Sequence, residues 1–138
     1  MEIKREGNII VAKFVNGEIL DNMKRLAKKE NIDSAIILSA IGMLENAEIG
    51  YFNGKEYKVE RMEKPMELVS LQGNIGRGDD IICHFHVALA GENHELKGGH
   101  LLRGDVKVVN EIALYCLKEL KIRRKKNDVG IMEMFLEE

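Results

Sequence analysis

One segment of this chain carries apolar residues at helical spacing, and a close succession of strand-like segments follows it. The segment reads GEILDNMKRLAKKENI, and charged residues occupy its opposite face. This pattern predicts one amphipathic helix over about residues 18–30. One early helix and many strands indicate an α+β fold, with the helix packed on a central, mostly antiparallel sheet. The apolar residues at helical spacing are Ile19, Leu20, Met23, Leu26 and Ala27.

The strand-like segments are recognised by β-branched residues and by the turn signals between them. Residues 8–15 are rich in β-branched side chains, and residues 34–44 form a continuous apolar run that fits a strand buried on both faces. Turn signals begin at Asn53, Gly76 and Gly91. The segment EIALYCLKEL fits either a strand or a helix. The other strand-like segments are NAEIGYF, EYKVERM, MELVSLQGNI, DIICHFHVALA, HLLRGDVKVV and GIMEMFL.

Length and composition indicate a single globular domain over residues 1–138. No apolar run approaches the roughly 20 residues of a membrane helix, and the charged N-terminus lacks a secretory signal, so we expect a cytoplasmic protein. The two cysteines, Cys83 and Cys116, lie far apart in apolar runs and imply no disulfide framework. The charge-rich composition, with one proline and no tryptophan, is typical of a thermophile.

The charge distribution gives little reason to expect nucleic-acid binding. The formal net charge is -2 and the isoelectric point is about 6.1, which excludes a general attraction to phosphates. The one basic cluster is KIRRKK at residues 121–126, for which we predict a solvated loop between strands. If the chain binds nucleic acid, the basic rim would consist of Arg123, Arg124, Lys125 and Lys126.

All four histidines lie within residues 82–102. Alternate residues of a strand share a face, so His84 and His86 should point the same way, about 7 Å apart. A hairpin would then return His100 beside them, and three imidazoles suit Zn²⁺ or a similar divalent metal with one coordination position left open. The alternative is that these histidines only hydrogen-bond within a half-buried face. His94 falls in a polar turn and should be exposed.

Gly98 and Gly99 precede His100 directly. Paired glycines adopt positive φ readily or let another backbone approach closely. We predict that they close the hairpin loop. A second role would be clearance for a ligand or a neighbouring subunit beside His100.

Taken in order, these motifs resemble the plants-and-prokaryotes-conserved (PPC) domain, also catalogued as domain of unknown function 296, in its stand-alone prokaryotic or archaeal form. The resemblance runs from residue 1 to about residue 136. Three elements in order carry it: an S-L-x-G-N-I element with a preceding acid, an H-x-H, and a G-G-H-L. The matching residues are Gly50, Tyr51, Phe52, Glu67, Ser70, Leu71, Gly73, Asn74, Ile75, His84, His86, Gly98, Gly99, His100 and Leu101.

The resemblance implies an α+β fold that assembles as a homotrimer, with the histidine face at a crevice between subunits that holds a metal ion in some relatives. Other residues assigned to this crevice are Glu67, Ser70, Asn74, Gly98 and Gly99. Two features of the plant members are missing: an R-G-R-P core for the minor groove, and a G-R-F-E-I-L motif, which KPMELV at residues 64–69 replaces. These departures argue against direct DNA binding and against plant-type partner binding.

Three functions follow from these observations. The first is a non-enzymatic trimeric scaffold whose histidine crevice binds a metal, a small ligand or a protein partner. The second is a DNA-binding architectural or regulatory protein, as in the AT-hook relatives. The third is a metal-dependent enzyme acting on a small molecule, in which His84, His86 and His100 ligate the ion and Glu67 is the general base. We predict the first.

Overall fold

The fold, described here from a computed structural model that covers residues 1–138, consists of nine strands and one helix. The helix follows the second strand, and every later element is a strand. The elements are β1 (Glu2–Glu6), β2 (Ile9–Phe14), α1 (Ile19–Lys29), β3 (Ser34–Phe52), β4 (Tyr57–Met62), β5 (Met66–Arg77), β6 (Ile81–Ala90), β7 (Leu96–Leu117), β8 (Lys121–Lys126) and β9 (Met132–Glu137).

Helix α1 confirms the predicted helix almost to the residue. Glu18 caps its first turn, where its carboxylate accepts hydrogen bonds from the backbone N–H groups of Leu20 and Asp21. The same carboxylate accepts from the N–H of Gly104 in β7, at 3.0 Å, which ties the start of the helix to the sheet. The apolar face of the helix is buried against β6 and β7. The protein contains no helix with the length and apolar character needed to cross a membrane.

The strands form one mostly antiparallel sheet, so the predicted α+β class is confirmed. Neighbouring strands follow the order β1-β2-β7-β3-β5-β8-β9, while β4 pairs with β3, and β6 pairs with both β5 and β7. Only the contact of β5 with β8 is parallel. Because β3 pairs with β5, β5 with β6, β6 with β7, and β7 again with β3, these four strands close on themselves like a small barrel.

Strands β3 and β7 are longer than the sequence suggested, because each joins two segments predicted as separate strands. They have 19 and 22 residues, and bulges interrupt their mutual pairing at four places. Asn110 lies between the two segments of β7 that were predicted as separate strands. It is buried, and its side-chain amide donates to the carbonyl oxygen of Met43 in β3 at 2.9 Å. The ambiguous EIALYCLKEL segment is strand as far as Leu117, with Ile112, Leu114 and Cys116 all buried.

Within one chain, residues 34–44 are buried on one face only, whereas the sequence pattern fits a strand buried on both faces. Ala35 and Ile37 enter the core, whereas Ile36, Leu38 and Ile41 are 44, 48 and 45% exposed. The reason is that the single helix covers one side of the sheet and nothing in the chain covers the other.

Three further differences from the sequence-based predictions concern local structure. KIRRKK is strand β8 rather than a loop, because it pairs along its whole length with β9 and its Ile122 N–H donates to the buried Ser34 hydroxyl. Gly98 and Gly99 lie within β7, paired with β6, whereas the hairpin loop lies before them and contains the exposed His94. Strand β1 was not predicted.

Candidate metal centre

The pairing of β6 with β7 brings three histidines to one face of the sheet. His84 and His86 are two residues apart in β6 and therefore share a face. His86 lies directly opposite His100 of β7, and direct cross-strand partners point to the same side of an antiparallel pair. The alternate residues Phe85 and Val87 are buried in the core on the other side.

The three imidazole rings form a nearly equilateral triangle. The ring centroids are 5.1 Å apart for His84 and His86, 5.1 Å for His84 and His100, and 5.4 Å for His86 and His100. One nitrogen of each ring lies within 4.8 Å of a nitrogen of the other two. All three rings belong to one chain, so their convergence requires no second subunit.

This donor set fits a divalent ion of the zinc type. Two nitrogens bound to one tetrahedral Zn²⁺ at 2.0–2.1 Å lie about 3.3 Å apart, so small rotations of the rings would bring the three nitrogens into bonding distance. Three imidazoles and no thiolate or carboxylate favour a borderline metal and leave a fourth position for water or a ligand.

Glycines allow the backbones around the histidines to approach closely. Gly73 of β5 has φ +141°, and a Cβ at this position would lie 1.9 Å from the carbonyl oxygen of His84. A Cβ at Gly98 would lie 2.8 Å from the carbonyl oxygen of Val87, and one at Gly99 would lie 2.8 Å from that of Gly50. The glycine pair before His100 therefore serves close packing of β7 between β6 and β3, not the hairpin turn.

The environment favours the neutral, metal-binding form of two of the imidazoles, those of His84 and His100. Burial, followed by the charges of His84 and His86, lowers the pKa of His100 from 6.5 to about 4. The pKa of His84 is also lowered, first by burial, then by the charge of Arg124 and of His86. A depressed pKa reduces competition by protons, because only a neutral imidazole can ligate.

Two side chains next to the histidines were not singled out as neighbours of the site from the sequence. The ring of Tyr57 in β4 lies 5.0 Å from the ring of His100. Arg124 of β8 is buried and donates a hydrogen bond of 2.6 Å to the Oδ1 atom of Asn74, the direct cross-strand partner of His84. Alternation along β8 could have indicated that Arg124 is buried, because Arg124 lies on the same face as the apolar Ile122. The neighbouring charged residues made this pattern hard to recognise in the sequence.

The residues predicted to share the crevice are spread along β5 and β7. Asn74 lies beside the histidines as the partner of His84, and Ser70 is half-buried opposite Ala88. Glu67 is exposed and pairs with Ala90, five positions along β5 from the partner of His86, which corresponds to about 17 Å of strand. The structure therefore does not bring Glu67 to the imidazoles.

The four residues of the predicted basic rim point in different directions and have different partners. Arg123 forms an ion pair with Asp33 at 2.7 Å, and Arg124 is only 6% exposed. Lys125 and Lys126 are exposed, and Lys125 lies 5.9 Å from the centroid of the Phe135 ring. The structure thus leaves two free cations at this position instead of four.

A family model described as the Plants and Prokaryotes Conserved (PCC) domain matches residues 1–118 of the chain. This match covers the histidine centre and ends after β7. No curated protein matches the chain.

Several solved structures share the fold over almost the whole chain. A plant- and prokaryote-conserved protein of Pyrococcus horikoshii is 38% identical, with a TM-score of 0.87 over 97% of this chain and 93% of that one. A protein of Archaeoglobus fulgidus described as metal-containing is 28% identical, with a TM-score of 0.82 over 98% and 99%. A protein of Bacteroides thetaiotaomicron described as "a putative dna binding protein" is 25% identical, with a TM-score of 0.90 over 97% and 96%.

Proposed function

We propose that this chain, which belongs to the Plants and Prokaryotes Conserved (PCC) domain family, is a homotrimeric metal-binding protein whose His84, His86 and His100 hold one Zn²⁺ or similar divalent ion. The observation that carries the proposal is the convergence of three imidazole nitrogens within 4.8 Å of one another, all supplied by two paired strands. Rigid strands hold such ligands better than loops do. The metal-containing protein of Archaeoglobus fulgidus, with the same fold, supports it.

The metal content of the purified protein tests this proposal. We expect about one zinc per chain after growth in zinc-replete medium, because three imidazoles should retain Zn²⁺ through purification. His86→Ala should remove most of the metal, since two ligands bind far more weakly than three. His94→Ala is the matched control: it removes an exposed histidine of the hairpin turn and should leave the zinc content unchanged.

Two results would contradict the metal site. One is less than roughly a tenth of a metal ion per chain in the wild type, together with no zinc uptake in calorimetry of the metal-free protein. The other is an equal zinc content in the wild type and in a folded His86→Ala variant, which would move the metal to another part of the molecule.

The outer face of the sheet supports self-association. Ile9 of β2 and Ile36 of β3 both pair with Tyr115 of β7, so the three side chains form a row across neighbouring strands. They are 38, 44 and 38% exposed, and Val11 and Leu38 beside them are 55 and 48% exposed. An apolar patch of this extent is unusual on a monomer, and a closed ring of three copies would cover it.

Light scattering after size-exclusion chromatography measures the assembly directly. We expect a mass of three copies of the 15.7 kDa chain at micromolar concentration. Ile36→Lys should shift the mass towards one copy, because it places a charge in the middle of the row, while Lys58→Glu on β4 serves as an exposed control. A monomeric wild type would contradict the trimer.

A binding role is better supported than catalysis or DNA binding. Glu67, the candidate general base, lies about five residues along β5 from the partner of His86. Its carboxylate is therefore not near the three imidazoles. The net charge is -2, and Arg123 is already paired with Asp33. We therefore expect no mobility shift of an AT-rich duplex even at low ionic strength, where electrostatic binding is strongest. A shift that weakens steeply with salt would favour the DNA-binding alternative.

A further inference from the structure

Arg124 is a buried arginine that has no carboxylate partner. Its side chain is 6% exposed and donates to the Asn74 amide oxygen at 2.6 Å and to the carbonyl oxygen of Met132 at 3.2 Å. It takes part in none of the protein's ion pairs, and its Nε–H has no acceptor. A guanidinium has five N–H donors, so most of them lack a protein acceptor. A buried cation without a counter-ion is costly, and a ligand anion would remove that cost.

Arg124 is one of the residues that line a pocket next to the histidine centre. The pocket has a volume of about 350 Å³, and His84 and His100 also line it. Most of the remaining lining is apolar or aromatic, from Phe52, Tyr57, Ile82, Ile131 and Met132. A volume of this size accepts a small organic molecule, and a few charged groups in a mostly apolar wall are typical of a site that orients its ligand.

In the metal-free protein, the charges around the pocket favour a single negative charge on the ligand. Lys55 and Glu56 line the pocket as an exposed pair of opposite sign, so their charges offset each other. Arg124 is then the remaining cation. A planar guanidinium matches the two oxygens of a carboxylate, and the single net positive charge of Lys55, Glu56 and Arg124 matches a monoanion better than a phosphate dianion.

We propose that this pocket binds a small organic monocarboxylate, whose carboxylate accepts hydrogen bonds from Arg124 and whose apolar body packs against the aromatic and aliphatic lining. A carboxylate bound to Arg124 would lie in the same pocket as His84 and His100, and any contact with a metal ion held by these histidines rests on the proposed function. Asn74 positions Arg124, because it holds the guanidinium beside His84.

Calorimetry with benzoate as the probe tests this inference on zinc-loaded and metal-free protein. We expect saturable binding of one benzoate per chain, and no binding of the neutral benzamide. Arg124→Met should weaken benzoate binding roughly tenfold or more, because the charge-assisted hydrogen bonds from the guanidinium are lost. Lys125→Met is the matched control, since it removes an exposed cation from the next position of β8.

A second measurement does not depend on the folding of the Arg124 variant. In the wild type, benzoate should shift the imidazole proton resonances of His84 and His100, which line the pocket, but not those of His94. Benzoate binding to metal-free protein with the same dependence on Arg124 supports the carboxylate site even if no zinc is retained, so the two proposals can fail separately. The inference is overturned if neither form binds benzoate, if phosphate or benzamide binds as tightly, or if a folded Arg124→Met variant binds equally well.

Discussion

The depressed pKa of His100 predicts a specific loss of stability in mild acid. In the unfolded chain the imidazole takes up a proton near pH 6.5, whereas in the folded protein burial and the neighbouring His84 and His86 lower its pKa to about 4. Between these values the unfolded state binds more protons, so the free energy of unfolding falls as the pH falls from 6.5 to 4. Above pH 6.5 the contribution of this group is constant.

The magnitude follows from the size of the pKa shift. At pH 5 the full shift would lower the free energy of unfolding by about 2 kcal/mol relative to pH 7.5, since one pKa unit corresponds to roughly 1.4 kcal/mol. His100 is only half-buried, and solvent screens part of its interactions. We therefore expect about 1 kcal/mol from this one residue, which is a measurable part of the stability of a small domain.

Urea denaturation of metal-free protein at pH 7.5 and pH 5.0, followed by circular dichroism, measures the effect. His100→Gln should reduce the acid-induced loss of unfolding free energy by about 1 kcal/mol relative to wild type. His94→Gln, in the exposed turn, should reduce it much less. If His100→Gln and wild type lose the same stability between the two pH values, the burial of this imidazole does not control its protonation, and the electrostatic description of the site is wrong.

Two further predictions concern contacts between neighbouring strands of the sheet. Gly73→Ala should destabilise the protein by about 2 kcal/mol or more and lower its zinc content, because the new Cβ would lie 1.9 Å from the carbonyl oxygen of His84. Gly54→Ala is the control, since φ there is also positive, at +97°, but the space is open, and only the backbone strain of about 1 kcal/mol should appear. Ser34→Ala should cost about 1–3 kcal/mol in urea denaturation and speed hydrogen exchange of the Ile122 amide, because the fully buried Ser34 hydroxyl accepts that N–H at 2.8 Å. Equal stability of Ser34→Ala and wild type would contradict this role.

The helix and most strands could be predicted because their signals are local. The apolar positions of α1 repeat at the helical period, and in β2 the buried Ile10, Ala12 and Phe14 alternate with exposed residues as in a strand with one buried face. The continuity of β3 and β7 could not be predicted in this way. A bulge leaves turn-like residues inside a strand, and whether the chain bends or ends there depends on the partner strand, as the hydrogen bond from Asn110 to Met43 illustrates.

The residues of the candidate site could likewise be predicted only in part from the sequence. Period-two alternation was enough to predict that His84 and His86 share a face, and a hairpin was enough to expect His100 nearby. Glu67 was assigned to the same crevice on the strength of its motif, but distance along β5 separates it from the imidazoles. Arg124 was assigned to a solvated basic cluster, although it is buried beside them.

The amino-acid sequence by itself determined the family, the class of fold and the alternation that directs two imidazoles to the same side. Only the tertiary structure decided the register that sets His100 directly opposite His86, that Arg124 accompanies them without an acidic partner, and that one apolar face of the sheet has no cover within the chain. The physical reason is that side-chain direction along a strand is a local property with a period of two residues. Cross-strand register, burial of a charge and exposure of a face are instead set by partners far away in the sequence, and no local pattern encodes them.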